Sequence, residues 1–520
     1  MSLDRKNIVL SVGLAVACAL PSLADDWPEW GRDASKNMVS GEKNIPGDIH
    51  PGTIDYDTEK VDVSTAKNLK WAVKLGSQSY GNVTVKDGHI YLGTNNEVTI
   101  DPKYTGDRSV ALALDEETGK RLWHLSVPKM GSGKVNDWEY LGICSSPTVD
   151  GDRIYLVNNL CHVVCLDAKG LSDGNQGFQG EAAYAGGKGK KPIAQGPGDA
   201  DILWVYDMMD ELGVFPHNIA SSSVLVTGDR VFVNTSNGVD WSHINIPSPR
   251  APCLIALDKN TGKLLGEEAS GISTRIYHGS WSSPAYGRVA GREMVVFGGG
   301  DGNCYGYDTT PKPDPDDPEY NLLTELWRVD CNPPEYKRTK AGKSIKYATP
   351  PGPSEIIATP VIYKQRIYVA IGQDPEHGEG VGNMVCLEPK GSGDLTKSAI
   401  RWQYKDINRV VSTVSIADGL VYVADFAGVV HCLDAESGKL YWKHDTQGHI
   451  WGSTLLVDGK VYIGNEDGFL TVLAAGKEKK LLHEIEFGVP IYASPIVANG
   501  VLYIQSHTHL YAFTAAKKSK

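Results

Sequence analysis

One phrase recurs along this chain and constrains its fold more than any other feature. It runs as a tight turn, alternating apolar and aromatic residues, a Leu-Asp pair, a Thr-Gly or Ser-Gly turn, and a tryptophan. The first half reads KDGHIYLG at 86–93, DGDRIYLV at 150–157, TGDRVFVN at 227–234, YKQRIYVA at 363–370, ADGLVYVA at 417–424, VDGKVYIG at 457–464 and ANGVLYIQ at 498–505, with a weaker copy, REMVVFGG, at 292–299. Alternation with period two, bounded by D-G or N-G, marks hairpins. The tightest spacings, Tyr422 to Tyr462 to Tyr503, leave room for four short strands each, which is one propeller blade. The expectation is all-β: an eight-bladed propeller of four-stranded antiparallel blades.

The last unit ends at YAFTAAKKSK without an outer strand, while NLKWAVKLG at 68–76 stands unclaimed at the other end. The strand around Trp71 is therefore expected to complete the eighth blade and close the ring, removing the free edges of an open array. The phrase ALDEETGKRLW at 113–123, repeated as ALDKNTGKLLG at 256–266 and CLDAESGKLYW at 432–442, resembles the repeat of the pyrroloquinoline-quinone (PQQ) propeller superfamily. The resemblance covers residues 68–515. It implies that fold, and it embraces both quinoprotein dehydrogenases and a propeller of outer-membrane barrel assembly that binds no quinone.

Residues 1–24 read as a signal peptide: Arg5 and Lys6, an apolar run from Ile8 to Leu20, and Ser22-Leu23-Ala24 before Asp25. Lipidation at Cys18 is disfavoured, since Ala15 is a poor match to the usual leucine. The expected product is exported, periplasmic or extracellular, without a transmembrane segment after cleavage. Residues 25–67, with Trp27 and Trp30, are expected to pack on the propeller as an N-terminal extension, and 516–520 form a basic tail. Asp and Glu number 63 against 51 Lys and Arg, which argues against nucleic acid as a partner. Cys165, Cys386 and Cys432 occupy equivalent places in different units, too far apart to bridge, and Cys161 and Cys165 lie on one strand; most cysteines are expected to be small buried hydrophobes.

Sorting the excess over a minimal blade separates two faces. One receives the connections between blades and the second-to-third-strand turns, including 94–109, 236–252, 372–383, 134–147, 210–223 and 273–284, and collects histidine, aromatic and amide residues. The other receives 168–201 and 309–323, Gly-, Pro- and charge-rich text that reads as solvated loops. Binding of a small molecule, cofactor or protein is expected on the first face, at the mouth of the central channel.

His217, His278 and His449 each precede an inner strand, and three imidazoles with Glu355 can ligate a transition metal. Backbone hydrogen bonding between blades is the plainer expectation for them, and a polar ligand the next. Asp374, Glu376, His377 and Glu379 in QDPEHGEG form the densest ionisable cluster; oxygen ligands there suit calcium, and His377 beside Asp374 suits a general base. Gly378 and Gly380 permit tight folding around an ion. Trp241, Trp281 and Trp451 can stack on a flat ligand or plug the tunnel. Arg250 and Arg275 can pair with a carboxylated ligand or link blades. For a quinoprotein the resemblance implies PQQ with calcium, with Glu355, Asn218 and Asp374 nearest by position to the calcium set, and it requires an adjacent cysteine pair, which this chain lacks. A binding or scaffold propeller is the first reading, a PQQ- and calcium-dependent alcohol or sugar dehydrogenase the second, and an outer-membrane assembly scaffold the third.

Overall fold

In the sixth blade the four strands are Ser415–Ala417, Leu420–Ala424, Val429–Asp434 and Leu440–Asp445, each antiparallel to the next. The computed structural model describes residues 25–515 except 56, 57, 59, 350, 378 and 379. Eight such sheets form the ring. Residues 1–24, expected as a signal peptide, the tail 516–520, Gly378 and Glu379 lie outside the described residues. Within them no helix is long and apolar enough to cross a membrane.

The recurring phrase builds the joints between blades. Asp434 Oδ1 accepts from the Ser437 amide and hydroxyl at 2.9 and 2.8 Å, and Gly438 takes φ 70°. The indole of Trp402, from the preceding blade, lies on that turn: its Nε1 donates to Ala435 O at 3.0 Å, and a Cβ on Gly438 would meet the ring at 2.6 Å. Glycine is thus required twice over, for its backbone and for the indole beneath it. Trp204 against Gly262 and Trp71 against Gly119 repeat the joint.

Trp71 belongs to Leu69–Lys74, which pairs with His509–Phe513 and completes the eighth blade. A chain beginning at Ser77 would lack this strand and expose the edge of His509–Phe513; it is expected to be insoluble on expression. A soluble chain melting in one cooperative transition would contradict the closure.

Residues 25–42 make a circuit inside the ring. Asp25 O accepts from Asn499 in the eighth blade, and Trp27 pairs with Val85 in the first through bonds of 2.9 and 2.8 Å. Pro28 O then accepts from Val149 (second blade), Ala34 O from Tyr286 (fourth), Ser35 O from Ile362 (fifth) and Met38 O from Leu456 (seventh). Asn37 bonds both the amide and carbonyl of Ile416 in the sixth, and Glu42 returns to Gly500 in the eighth. Val39–Ser40 runs parallel to Leu456–Val457. An inner strand has a free edge facing the axis, and this segment satisfies it in the first, second, fourth, fifth, sixth and seventh blades. Trp27, Trp30, Met38, Ile45 and Ile49 are buried against the ring, as is the Lys36–Glu29 ion pair. Asn499, Gly500 and the Lys86 that pairs with Asp26 lie at the first-to-second-strand turns, so the lacing sits at the end of the ring opposite the decorated mouth.

The two insertions on that second face are more than solvated loops. Residues 168–201 contain the helix Glu181–Gly186, and 309–323 return to the third blade, where Asn321–Leu323 pairs parallel with its outer strand Leu264–Glu268. Covering an outer edge is the physical reason. The eight cysteines among the described residues are all free thiols, seven of them buried.

Glu268, at the end of that outer strand, is buried; its carboxylate accepts from Cys253 N at 2.9 Å and Ser270 N at 2.7 Å. Desolvation nevertheless raises its pKa from 4.5 to about 7. The folded state therefore holds a proton that the unfolded state has lost, and its stabilising effect is present below pH 4.5 and lost as pH rises to 7. That loss amounts to at most roughly 3 kcal/mol. Glu268→Gln is expected to flatten this part of the stability–pH curve in denaturant melts; an unchanged slope would contradict the assignment.

Candidate metal centre

Four imidazoles converge at the decorated mouth. His217 comes from the connection between the second and third blades, His278 from that between the third and fourth, His243 from the second-to-third-strand loop of the third blade, and His377 from the equivalent loop of the fifth. Ring centres are 4.3 Å apart for His217–His278, 4.8 Å for His243–His278, 4.7 Å for His278–His377, 5.1 Å for His217–His243 and 5.2 Å for His243–His377. Imidazoles bound to one ion through nitrogens at roughly 2.0–2.1 Å have ring centres about 5 Å apart. Metal-binding atoms of His217, His243 and His278, and of His278, Asp374 and His377, lie within 4.8 Å of one another in each set.

Glycine brings the rings this close. Gly238 bridges Gly279 across the two loops, and a Cβ on Gly238 would meet His217 Cβ at 2.6 Å. His217 and His278 are fully buried. His217 Nδ1 lies 2.7 Å from Val239 O, an obligate acceptor, so Nδ1 carries the proton and Nε2 the lone pair. His278 Nδ1 lies 3.2 Å from the Tyr347 hydroxyl, which accepts from Asp374 N at 3.0 Å and donates to Glu355 Oε1 at 2.9 Å. Tyr347 thus engages His278 Nδ1 and leaves His278 Nε2 turned toward His217. The two Nε2 atoms face each other at 2.6 Å. Two ring nitrogens at that distance need a proton or a cation between them.

Burial holds His217 neutral, with its pKa lowered to about 4, and lowers those of His278 and His377. The same desolvation raises Asp374 to about 6 and keeps Glu355 protonated well above the carboxylate range. Glu355 Oε2 and His377 Nε2 are buried without a partner among the described residues. Trp281 forms one wall, edge-on to His278 at 5.4 Å and donating to His217 O at 3.3 Å, while Trp241 is exposed at the rim, 6.4 Å from His243.

Several residues singled out in the sequence stand elsewhere. His449 does not join the other imidazoles; it stacks on Phe426 at 4.6 Å and faces Glu466 at 3.4 Å, because its connection lies between the sixth and seventh blades. Trp451 follows it, with Nε1 on Glu466. Arg275 pairs with Asp301 at 3.1 Å and Tyr305 at 2.9 Å in the fourth blade and donates to Ser270 O in the connection that leads into it. Arg250 lines a separate cleft with Tyr206 and Glu267. Asn218 holds left-handed backbone at φ 59°, its amide and carbonyl bonded to Val135 and Trp138. Glu376 is exposed and gives its amide to Asp374 Oδ1. His243 and Tyr347 went unmarked in the sequence, although His243 occupies the same kind of loop in the third blade as His377 does in the fifth.

The calcium and quinone implied by the resemblance do not fit these residues. Calcium takes hard oxygen ligands, whereas the convergent donors are imidazole nitrogens with a single carboxylate, Asp374, among them. No two cysteines are consecutive.

Fold and site together define an eight-bladed PQQ-like propeller with an imidazole-lined mouth. The family described as outer membrane protein assembly factor BamB matches residues 71–310 and 324–520, and the chain belongs to it. Among curated relatives, quinohemoprotein alcohol dehydrogenase of Comamonas testosteroni is 28% identical over 138 residues, 23% of this chain and 19% of its own length. Quinoprotein alcohol dehydrogenase PedH of Pseudomonas putida is 33% identical over 73 residues, 14% of this chain and 12% of its own. The match thus spans less than a fifth of either relative. BamB from Moraxella catarrhalis superposes with a TM-score of 0.51 at 12% identity, covering 87% of this chain and 98% of that one. The Comamonas testosteroni quinohemoprotein alcohol dehydrogenase structure gives 0.50 at 14%, covering 95% and 81%. At such identities the likeness is one of fold.

Proposed function

We propose that this is an exported metal-binding propeller that holds one transition-metal ion between His217, His243, His278 and His377 at the mouth of its ring. The observation that carries the reading is the pair of Nε2 atoms facing at 2.6 Å, with both Nδ1 atoms already engaged by outer partners. Tyr347 and the Val239 carbonyl supply the outer partners that metal-binding imidazoles characteristically have. Nitrogen donors favour copper(II) or zinc over calcium or magnesium. Asp374 stands beside the centre as a further oxygen donor. The leader reading supports a location outside the cytoplasm, and the decorated mouth supports a ligand or partner there.

Protein stripped with chelator and dialysed against zinc or copper(II) is expected to retain one equivalent per chain by elemental analysis. Retention of neither at micromolar free metal would overturn the reading. Dye-coupled oxidation of alcohols or sugars that appears only on adding PQQ and calcium would favour the dehydrogenase reading instead.

A further inference from the structure

The other half of the mouth carries different chemistry. Six rings form a continuous arc from the connections and turns of the sixth, seventh, eighth and first blades. His449 stacks on Phe426 at 4.6 Å; Phe426 meets Trp451 edge-on at 5.0 Å; Trp451 stacks on Tyr492 at 5.2 Å; Tyr80 and His507 lie 5.3 and 4.2 Å from Tyr492. Phe426 is buried, and the other five are partly exposed. A solvent-facing arc of this kind is more than tunnel filling, because a carboxylate stands inside it. Glu466 Oε2 accepts from Trp451 Nε1 at 3.1 Å and lies 3.4 Å from His449 Nδ1.

Glu466 also opens, with His449, Asp445 and Asp467, onto a cleft of about 390 Å³. Among the described residues no lysine or arginine forms a salt bridge with any of these three carboxylates. Arg409 donates to Asp374 O at 2.7 Å and places its guanidinium 5.2 Å from the centre of the Phe426 ring. One face of the arc thus already receives a cation.

We infer that this aromatic and acidic half of the mouth is a binding site for an organic ammonium group, seated against Trp451 and Tyr492 and neutralised by Glu466. The faces of Trp and Tyr attract a cation through their quadrupoles, most strongly when the cation is weakly hydrated, and the carboxylate adds directional charge. A small hard ion is drawn by the carboxylates alone and gains little from the rings. A neutral ring compound gains from the rings alone. Only an organic cation uses both. The site draws nothing from the imidazoles on the other side of the ring, so it stands independently of the metal reading.

Choline and its uncharged carbon isostere, 3,3-dimethylbutan-1-ol, separate these possibilities, with tryptophan fluorescence and calorimetry as readouts on the full chain. Choline is expected to bind at least tenfold more tightly than the isostere. Glu466→Gln, which keeps shape and removes charge, and Trp451→Ala are each expected to weaken choline at least tenfold, while His278→Ala leaves it unchanged. Equal binding of choline and isostere, indifference to Glu466→Gln, or binding of calcium without choline would each overturn the proposal. Trp451→Ala can also loosen the loop, so Glu466→Gln is the deciding variant. Choline binding in His278→Ala protein that holds no metal would separate the fate of this site from that of the metal centre.

Discussion

Replacing His278 with alanine is expected to abolish stoichiometric zinc or copper(II) binding, lowering affinity at least a hundredfold. Its ring touches those of His217, His243 and His377, so its loss leaves the remaining donors without a common centre. Tyr347→Phe is the finer test. It removes the hydroxyl that engages both His278 Nδ1 and Glu355 Oε1. Loss of such an outer partner costs about 10- to 100-fold in metal affinity. His449→Ala, which touches Phe426 and Glu466 instead, is expected to bind like the parent. Competition with a chromophoric chelator measures all three. Parent-like affinity in His278→Ala would remove the centre as described.

The second large effect concerns the lacing segment. A chain beginning at Asn68 keeps the closing strand but loses the circuit of residues 25–42. Five buried apolar side chains, Trp27, Trp30, Met38, Ile45 and Ile49, are lost from the core. At roughly 1.5–3 kcal/mol each this is about 10 kcal/mol. For a chain of this size the unfolding entropy is about 1 kcal/mol/K, so the melting temperature is expected to fall by about 10 °C. The inner strands of six blades, and a turn of the eighth, also lose their hydrogen-bond partners. Inner-strand amides such as Val85, Val149 and Leu456 are expected to exchange faster with deuterium, and an unaltered melt would contradict a stabilising circuit.

The lacing has a consequence for the mouth. With one end of the ring occupied by residues 25–42, the imidazoles and the aromatic arc share a single opening at the other. Arg409 spans the two halves, from the Asp374 carbonyl to the Phe426 ring. An ammonium-bearing ligand seated on Trp451 would therefore enter by the same opening that leads to His278.

The architecture was legible in the sequence because it is periodic. Blade number, strand order and the Trp71 closure all follow from local rules repeated along the chain: alternation, a tight turn, and a Thr-Gly or Ser-Gly turn ahead of the tryptophan. The packing of that indole on the next blade's glycine came from the structure. The choice of the decorated face followed from which turns were lengthened. Within that face, the sequence distinguished residues only by type and by blade. It therefore grouped His449 with His217 and His278, since all three precede an inner strand, and it passed over His243 and Tyr347.

Only the closed ring decided which of these residues meet. Blades three, four and five bring four imidazoles, Asp374 and Tyr347 to one side of the axis, and blades six, seven, eight and one bring His449 and Trp451 to the other. Angular position around the ring sets this division, and no local pattern encodes it. The circuit of residues 25–42 was likewise beyond sequence reading, because its partners are backbone groups on seven separate blades whose free edges face one another only after the ring has formed.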